Sequence, residues 1–329
     1  MKKNSSMGRL INFRTFIFGL FLALLVYFFL MVLSGWEELL HNIVQADPFI
    51  ILVAMMLSLG NYIFRFLKWQ LFTKSLNLEV SLVNNILIFF SGLSLAITPA
   101  KAGEAIRAFL LREMSSSGLS QGLASTFSER LIDLLAVTIL AFIGIVLLGN
   151  NQTVIYLPIL LLILLAIILG VVIFLFNPLY NIFVKIFMLE KWGTLGSKIN
   201  QFRSDVIITF HFLTFIGALI LGLIGWTCEG IGFFLIAQNL QIQITLDTAI
   251  LIYATSSLLG AISFLPGGLG VMEGSMEVFL ADLLKIAAPL AGALIILIRL
   301  TTLWFGVGLG LIFLLIVVKR LNPSSKTEM

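Results

Sequence analysis

LNLEVSLVNNILIFFSGLSLAITPAKAGEAIR, residues 76–107, decides how this chain is arranged. Its apolar part, 82–98, carries no charged residue, yet it has a basic segment on each side. Arg65, Lys68 and Lys74 lie in 65–81, and Lys101, Arg107 and Arg112 lie in 99–121. Lysine- and arginine-bearing loops stay on the cytoplasmic side of a membrane, so both ends of 82–98 belong on one face. A single crossing cannot satisfy that. A re-entrant hairpin can, with a helix entering over about 82–97, a break around Thr98, Pro99 and Gly103, and a shorter helix returning over 104–112. Broken backbone at such depth is tolerated only where protein or a water-filled cavity satisfies it.

The composition supplies the membrane. Of 329 residues, 60% are hydrophobic and 11% charged, with a mean hydropathy of +1.12; a soluble domain is about one quarter charged. Uncharged stretches run over 15–36, 48–64, 134–184, 206–228, 248–272 and 300–318, and a helix of about 20 residues crosses the hydrocarbon core. The stretch 134–184 is long enough for two crossings and contains a polar turn from Gly149 to Thr153. The loops 34–47, 149–153 and 237–247 have no Lys or Arg and read as outside; the N-terminal tail, 177–205 and the tail after 318 read as inside. The first apolar run lacks a small-residue cleavage site and reads as a retained helix. The expected fold is an all-α polytopic protein of the cell membrane, with about six transmembrane helices, two opposed re-entrant hairpins and both termini cytoplasmic. A lone Cys228 forms no internal disulfide, and His41 with His211 is too little for a metal site, so no cofactor is expected. The excess of four positive charges is scattered over short loops, without the patch that nucleic acid requires.

The hairpin occurs twice. Residues 76–89 align without gaps on LQIQITLDTAILIY, 240–253, at an offset of 164. Pro99 then faces Pro266, Gly103 faces Gly270, Glu104 faces Glu273, Arg130 faces Arg299, and Arg65 falls opposite Glu229. The second hairpin, 248–284, breaks at Pro266, Gly267, Gly268 and Gly270 and has an uncharged outside loop before it, so it dips from the other face. That is an inverted repeat, and interrupted helices in such repeats point to a transport site at their interface. One membrane domain is expected over 1–320, with repeat 1 at about 48–148, repeat 2 at about 206–318, a linking helix over 154–176 and a cytoplasmic segment over 177–205. Residues 321–329 form a cytoplasmic tail.

Charges inside spans cost about 2.5 to 3.5 kcal/mol each on the insertion scale, so each needs a partner or a task. Glu104 and Arg107, Arg130 and Asp133, and Glu129 and Asp133 stand three or four residues apart and share helix faces. Internal salt bridges between helices are one reading, with glycines allowing close packing. The other reading makes Lys101, Arg107, Arg130 and Arg299 substrate-binding, since they flank broken backbone where an anion could be held. Arginine grips phosphate through a planar fork of donors, and half-helix N-termini after Pro99 and Pro266 would add N–H groups. Gly103, Gly267, Gly268 and Gly270 belong to the same site, at positions where a Cβ would obstruct the backbone or a close approach. Glu104, Glu129, Asp133 and Glu273 would pair these cations or relay protons.

PAKAGEAIR (99–107), SERLID (128–133) and PGGLGVMEG (266–274), with Arg65 and Lys68 in RFLKW, resemble the lysylphosphatidylglycerol synthase transmembrane, or flippase-like, family. That family includes the membrane domain of the multiple peptide resistance factor, and the resemblance covers roughly residues 10–320. It implies movement of a lipid across the bilayer, often one with an aminoacylated or glycosylated headgroup. Lys101 stands where arginine is common in the family, and the soluble aminoacyltransferase domain is missing, so lipid synthesis is not expected. The expected function is translocation of a phospholipid or polyprenyl-phosphate-linked headgroup between the two hairpins, without catalysis. The alternative is an integral-membrane enzyme acting on a lipid phosphate, with Glu104 or Asp133 as general base. The expected partner is a lipid with an anionic headgroup, and self-association into a homo-oligomer is compatible with the sequence.

Overall fold

The computed structural model of the chain describes residues 13–98, 103–115, 117–148, 176–186 and 193–321, with five further positions between 164 and 170. The described residues form helices and turns without a strand, as an all-α polytopic membrane protein requires. Five helices among them are long and apolar enough to cross a bilayer. These are α1 (Phe13–Ser34), α3 (Pro48–Ser75), α6 (Leu119–Leu148), α9 (Phe212–Asn239), and the rod formed by α12 (Ala288–Arg299) and α13 (Phe305–Leu321). The polar turn 149–153, the linking helix expected over 154–176, and Pro99 and Lys101 lie outside the described residues.

Four of these helices run well past the uncharged stretches. The helix expected over 48–64 continues to Ser75, and the span beginning at 134 is the second half of a helix that starts at Leu119. Each extension carries buried charge: Arg65 and Lys68 in α3, Glu129 and Asp133 in α6, Glu229 in α9 and Arg299 in α12. Arg65 and Lys68, expected in a basic flanking segment, are therefore interior side chains, and so is Arg107. Lys74 and Arg112 remain exposed on the two sides of 82–98.

Both hairpins are broken. In the first, α4 (Leu82–Leu93) is capped by Ser81, whose side chain accepts from Asn84 N at 3.3 Å, and it stops short of the expected residue 97. From there the backbone tightens to three-residue bonds such as Ala96 N to Leu93 O, 3.1 Å. Thr98 Oγ1 accepts from Gly103 N at 2.7 Å and closes the gap, before α5 (Ile106–Met114) returns. In the second, α10 (Leu246–Ile262) leads to a single 3-10 turn at Pro266–Gly268 and then to α11 (Val271–Leu284). Gly267, Gly268 and Gly270 have φ of +61°, +68° and +85°, the left-handed region in which a glycine has no Cβ to clash.

The same order of elements appears twice. Helices α3 and α9 are each 28 residues long and begin 164 residues apart, as do α4 and α10. Helices α6 and α12 begin 169 residues apart, and the return helix α11, at 14 residues against 9 for α5, accounts for the extra five. Packing follows the same pairing: α3 lies along α9, α4 along α13, and α10 along α6. Element i of one half thus meets j of the other while j meets i, the relation that a two-fold axis produces. Glycines bring the exchanged helices close. A Cβ on Gly310 would run into the Ser94 backbone nitrogen, and one on Gly144 would lie 2.7 Å from Leu251 Cβ.

Outside this pattern lie the amphipathic α2 (Trp36–Gln45), packed on α12, and two helices on the other side of the linking segment, α7 (Asn177–Ile186) and α8 (Thr194–Thr209). Helix α8 is fastened to α6 by Ser120 to Asp205, 2.5 Å, and Ser128 to Thr209, 2.6 Å.

Candidate functional site

A cavity of about 230 Å³ lies between α3, α6, α9 and the two hairpin breaks. That is far above the ~10–15 Å³ needed to hold one water, so the broken backbone around it can be hydrated. Its lining comes from matched positions of the two halves. At the 164-residue offset, Tyr62 and Arg65 on α3 correspond to Trp226 and Glu229 on α9, while Leu93 and Ala96 correspond to Ser257 and Gly260. At the 169-residue offset, Arg130 and Asp133 correspond to Arg299 and Thr302, and Leu134 and Val137 to Leu303 and Gly306. All sixteen residues of these eight pairs line the cavity. A shared wall of this kind is what two superposable halves would enclose on their common axis.

In the first half, four cations meet three carboxylates. Arg65 Nε lies 3.2 Å from Glu129 Oε1 and 3.8 Å from Asp133 Oδ2, and Lys68 hydrogen-bonds to Asp133. Arg107 NH2 reaches Glu104 at 3.1 Å, its NH1 bonds Glu129, and its guanidinium lies 4.4 Å from the centre of the Phe89 ring. Arg130 NH2 touches all three acids, Glu104 at 3.2 Å, Glu129 at 2.7 Å and Asp133 at 3.4 Å. Every carboxylate is shared, and among the described residues a fourth carboxylate, Glu229, stands in the same cavity wall as Arg65 and Arg130. Arg65 NH2 and Arg130 Nε are buried without a hydrogen-bond partner among the described residues. Leaving such a donor unfilled costs about 1–3 kcal/mol or more, so it calls for a reason.

The second half is closed on itself. Arg299 places Nε 2.7 Å from Glu273 Oε1, NH2 2.7 Å from the Gly267 carbonyl and NH1 3.1 Å from Met272 Sδ. Glu273 Oε2 in turn accepts from Gly270 N at 2.8 Å, capping α11. One of the N–H groups that this half-helix N-terminus was expected to offer an anion, that of Gly270, is therefore taken by the chain's own carboxylate. Facing it across the cavity wall, Tyr253 donates to Glu229 Oε2 at 2.6 Å.

Of the residues singled out from the sequence, Arg130, Arg299, Glu104, Asp133, Gly267 and Gly268 line the cavity. Glu129 and Glu273 stand directly behind, bonded to the lining arginines, and Gly270 is joined to Glu273. Arg107 and Gly103 do not line it. Arg107 is fully buried on the far side of the cluster, and Gly103 is packed against Leu95 and Thr98. Lys101 lies outside the described residues. Sequence reasoning placed Arg65 in a flanking segment and overlooked Tyr62, Trp226 and Tyr253. The offset of 164 that pairs Arg65 with Glu229 also pairs Tyr62 with Trp226, so that signal was present.

A family model described as the lysylphosphatidylglycerol synthase TM region matches residues 16–310. Among curated proteins, the chain is 24% identical to a UPF0104 membrane protein of Methanothermobacter thermautotrophicus, covering 89% of this chain and 90% of that protein. It is 29% identical to one of Methanocaldococcus jannaschii over 71% of this chain and 97% of the relative. A third, from Pyrococcus horikoshii, is 27% identical over 89% and 94%.

Proposed function

Since this multi-pass membrane chain belongs to the lysylphosphatidylglycerol synthase transmembrane-region family, we propose that it translocates a lipid by passing its anionic headgroup through the cavity between the two hairpins. The observation that carries this reading is the pair of intramembrane arginines of the first half, Arg65 and Arg130, in the wall of a cavity bounded by both hairpins. A phosphate would compete with the carboxylates for these two guanidinium groups, and arginine forks suit its geometry. Glu229 and Ser257 on the opposite wall suit hydroxyl or ammonium groups of the same headgroup. Tails would remain in the bilayer. Glu104, Glu129 and Asp133 serve as partners that hold the arginines in place when no headgroup is bound, which favours transport over an enzyme that needs an unencumbered base. In this reading the two halves are inverted in the cell membrane, the first hairpin dips from the cytoplasm, and both termini are cytoplasmic.

The test uses purified protein in vesicles containing a trace of headgroup-labelled phosphatidylglycerol, with translocation read as protection from a membrane-impermeant quencher. Arg130→Lys keeps the charge but loses the fork, and should slow translocation by about tenfold or more. Thermal unfolding should stay near the wild type. Translocation at the wild-type rate by Arg130→Lys and Arg65→Lys alike would sink the reading.

A further inference from the structure

The two hairpin tips end differently. At the first, the residues from Leu93 to Thr98 are buried apart from the half-buried Ala96. At the second, Ala261, Ile262, Phe264 and Leu265 are exposed. Ile97 and Ala261 are matched at the 164-residue offset, yet one is buried and the other bare. Helix α1 makes the difference. A Cβ on Gly19 would run into the Ile97 carbonyl, so α1 lies directly on the first tip. Farther along, α1 passes the second break on its Gly270 side, where Val26 Cγ2 would be 3.6 Å from a Cβ, and it leaves 261–265 uncovered.

Three of these uncovered residues, Ala261, Phe264 and Leu265, also line the cavity. The cavity therefore opens here, past an apolar rim, while its interior carries Arg65, Arg130 and Glu104. A charged interior behind an apolar rim has the two-part chemistry of a lipid, headgroup and hydrocarbon chain. The rim also stands at hydrocarbon depth. Helix α10 has 17 residues, and a rise of about 1.5 Å per residue carries it about 25 Å inward, short of the ~30 Å of a hydrocarbon core. Phe264 itself has φ +56°, a left-handed conformation that is an outlier for a bulky residue. Packing does not account for it, since the residue is 70% exposed, and strain of this kind clusters at functional positions.

We propose that the mouth at Ala261, Phe264 and Leu265 is a lateral portal, where a lipid enters headgroup first while one of its chains lies against the Phe264 ring. This rests on the translocation reading and on the second hairpin dipping into the bilayer. The repeat provides two matched places for such a portal, and α1 covers one of them. Lipid therefore exchanges with the cavity beside the second hairpin, and the headgroup reaches Arg65 and Arg130 without its chains leaving hydrocarbon.

The experiment compares Phe264→p-benzoylphenylalanine with the same photoreactive replacement at Ile312, a residue of α13 that is 58% exposed and does not line the cavity. Each protein is reconstituted in phosphatidylcholine vesicles carrying equal traces of phosphatidylglycerol and of diacylglycerol with the same chains. Captured lipid is identified by mass spectrometry after illumination, and the ratio at Ile312 reports the bulk bilayer. At position 264, phosphatidylglycerol should be enriched over that ratio by about tenfold, the selectivity that a hydrogen bond to a charged group gives. Arg130→Ala should bring the ratio at 264 down to that at Ile312, and Arg65→Ala, an independent route, should do the same. Equal ratios at the two positions without these changes overturn the portal. So does a nitroxide on Phe264→Cys, in a Cys228→Ser background, that is relaxed more by an aqueous nickel chelate than by dissolved oxygen. Enrichment at 264 with no lipid movement would fault the translocation reading and leave the portal, whereas lipid movement with equal ratios would fault the portal alone.

Discussion

Arg130 and Arg299 stand at matched positions, 169 residues apart, and are held in opposite ways. Arg299 spends its guanidinium nitrogens on Glu273, Gly267 and Met272 of the second hairpin and also meets Tyr27 of α1. Arg130 crowds one nitrogen against three shared carboxylates and leaves Nε unpartnered. The hairpin tips differ as well. Gly19 lets α1 lie directly on Ile97 at the first break, while Phe264 at the second is 70% exposed. A duplicated scaffold places an arginine twice at the cavity wall, and its surroundings then give one a full set of partners and leave the other with an unpartnered nitrogen.

The largest expected effect tests that contrast. Removing one partner of a buried pair costs about 3–5 kcal/mol because the other is left charged and alone. Arg299→Ala strands Glu273 and frees the Gly267 carbonyl, and should fall in this range by thermal or denaturant unfolding in detergent. Arg130→Ala leaves Glu104 and Glu129 with Arg107, and Asp133 with Lys68. Its loss should be less than half as large, about 2 kcal/mol or below. Equal losses would break the comparison, since both arginines would then be structural.

Next come the two exchanged helix contacts. Overpacking a filled interface costs about 1–3 kcal/mol. Gly310→Ala drives a methyl into backbone, at the Ser94 nitrogen, whereas Gly144→Ala meets Leu251 chiefly through its side chain. Gly310→Ala should therefore lie at or above the top of that range and Gly144→Ala near its bottom. The reverse order would show that the α4 end yields more readily than the body of α10.

How much of this was legible follows from where the physics is local. Hydropathy found all five described helices long and apolar enough to cross a membrane, because burial in lipid is written residue by residue. It misplaced helix ends wherever a charge was buried by protein: Arg65, Glu129, Glu229 and Arg299 each sit inside a helix that an uncharged-run reading cuts short. Pro266 and the three glycines announced the second break, since positive φ demands that residue type. Partner choice was not legible. Whether Arg107 faces a cavity or Phe89 depends on the crossing of α5 with α4 and α6, and Glu273 takes an N–H at the start of α11 that sequence spacing alone leaves open. The 164-residue offset pairs the cavity-lining Tyr62 and Trp226 as well as Arg65 and Glu229.

The smallest expected effect separates backbone from space at the second break. Gly270 has φ +85°, yet the nearest atom to a Cβ there is Val26 Cγ2 at 3.6 Å, an ordinary contact. Its counterpart Gly103 has no positive φ, but a Cβ would lie 2.5 Å from Leu95 Cβ and 2.6 Å from Thr98 Oγ1. The two glycines are thus required for different reasons. Gly270→Ala should cost only the left-handed strain, about 1–2 kcal/mol. Gly270→Asn should cost less, because asparagine visits that region more readily. At Gly103, where crowding rules, asparagine should be worse than alanine, because more atoms must be accommodated. Thermal unfolding of the four variants in detergent reads the order directly. If asparagine is as costly as alanine at Gly270, the left-handed backbone is not what the glycine supplies, and the N–H that Glu273 accepts is held by something other than this turn.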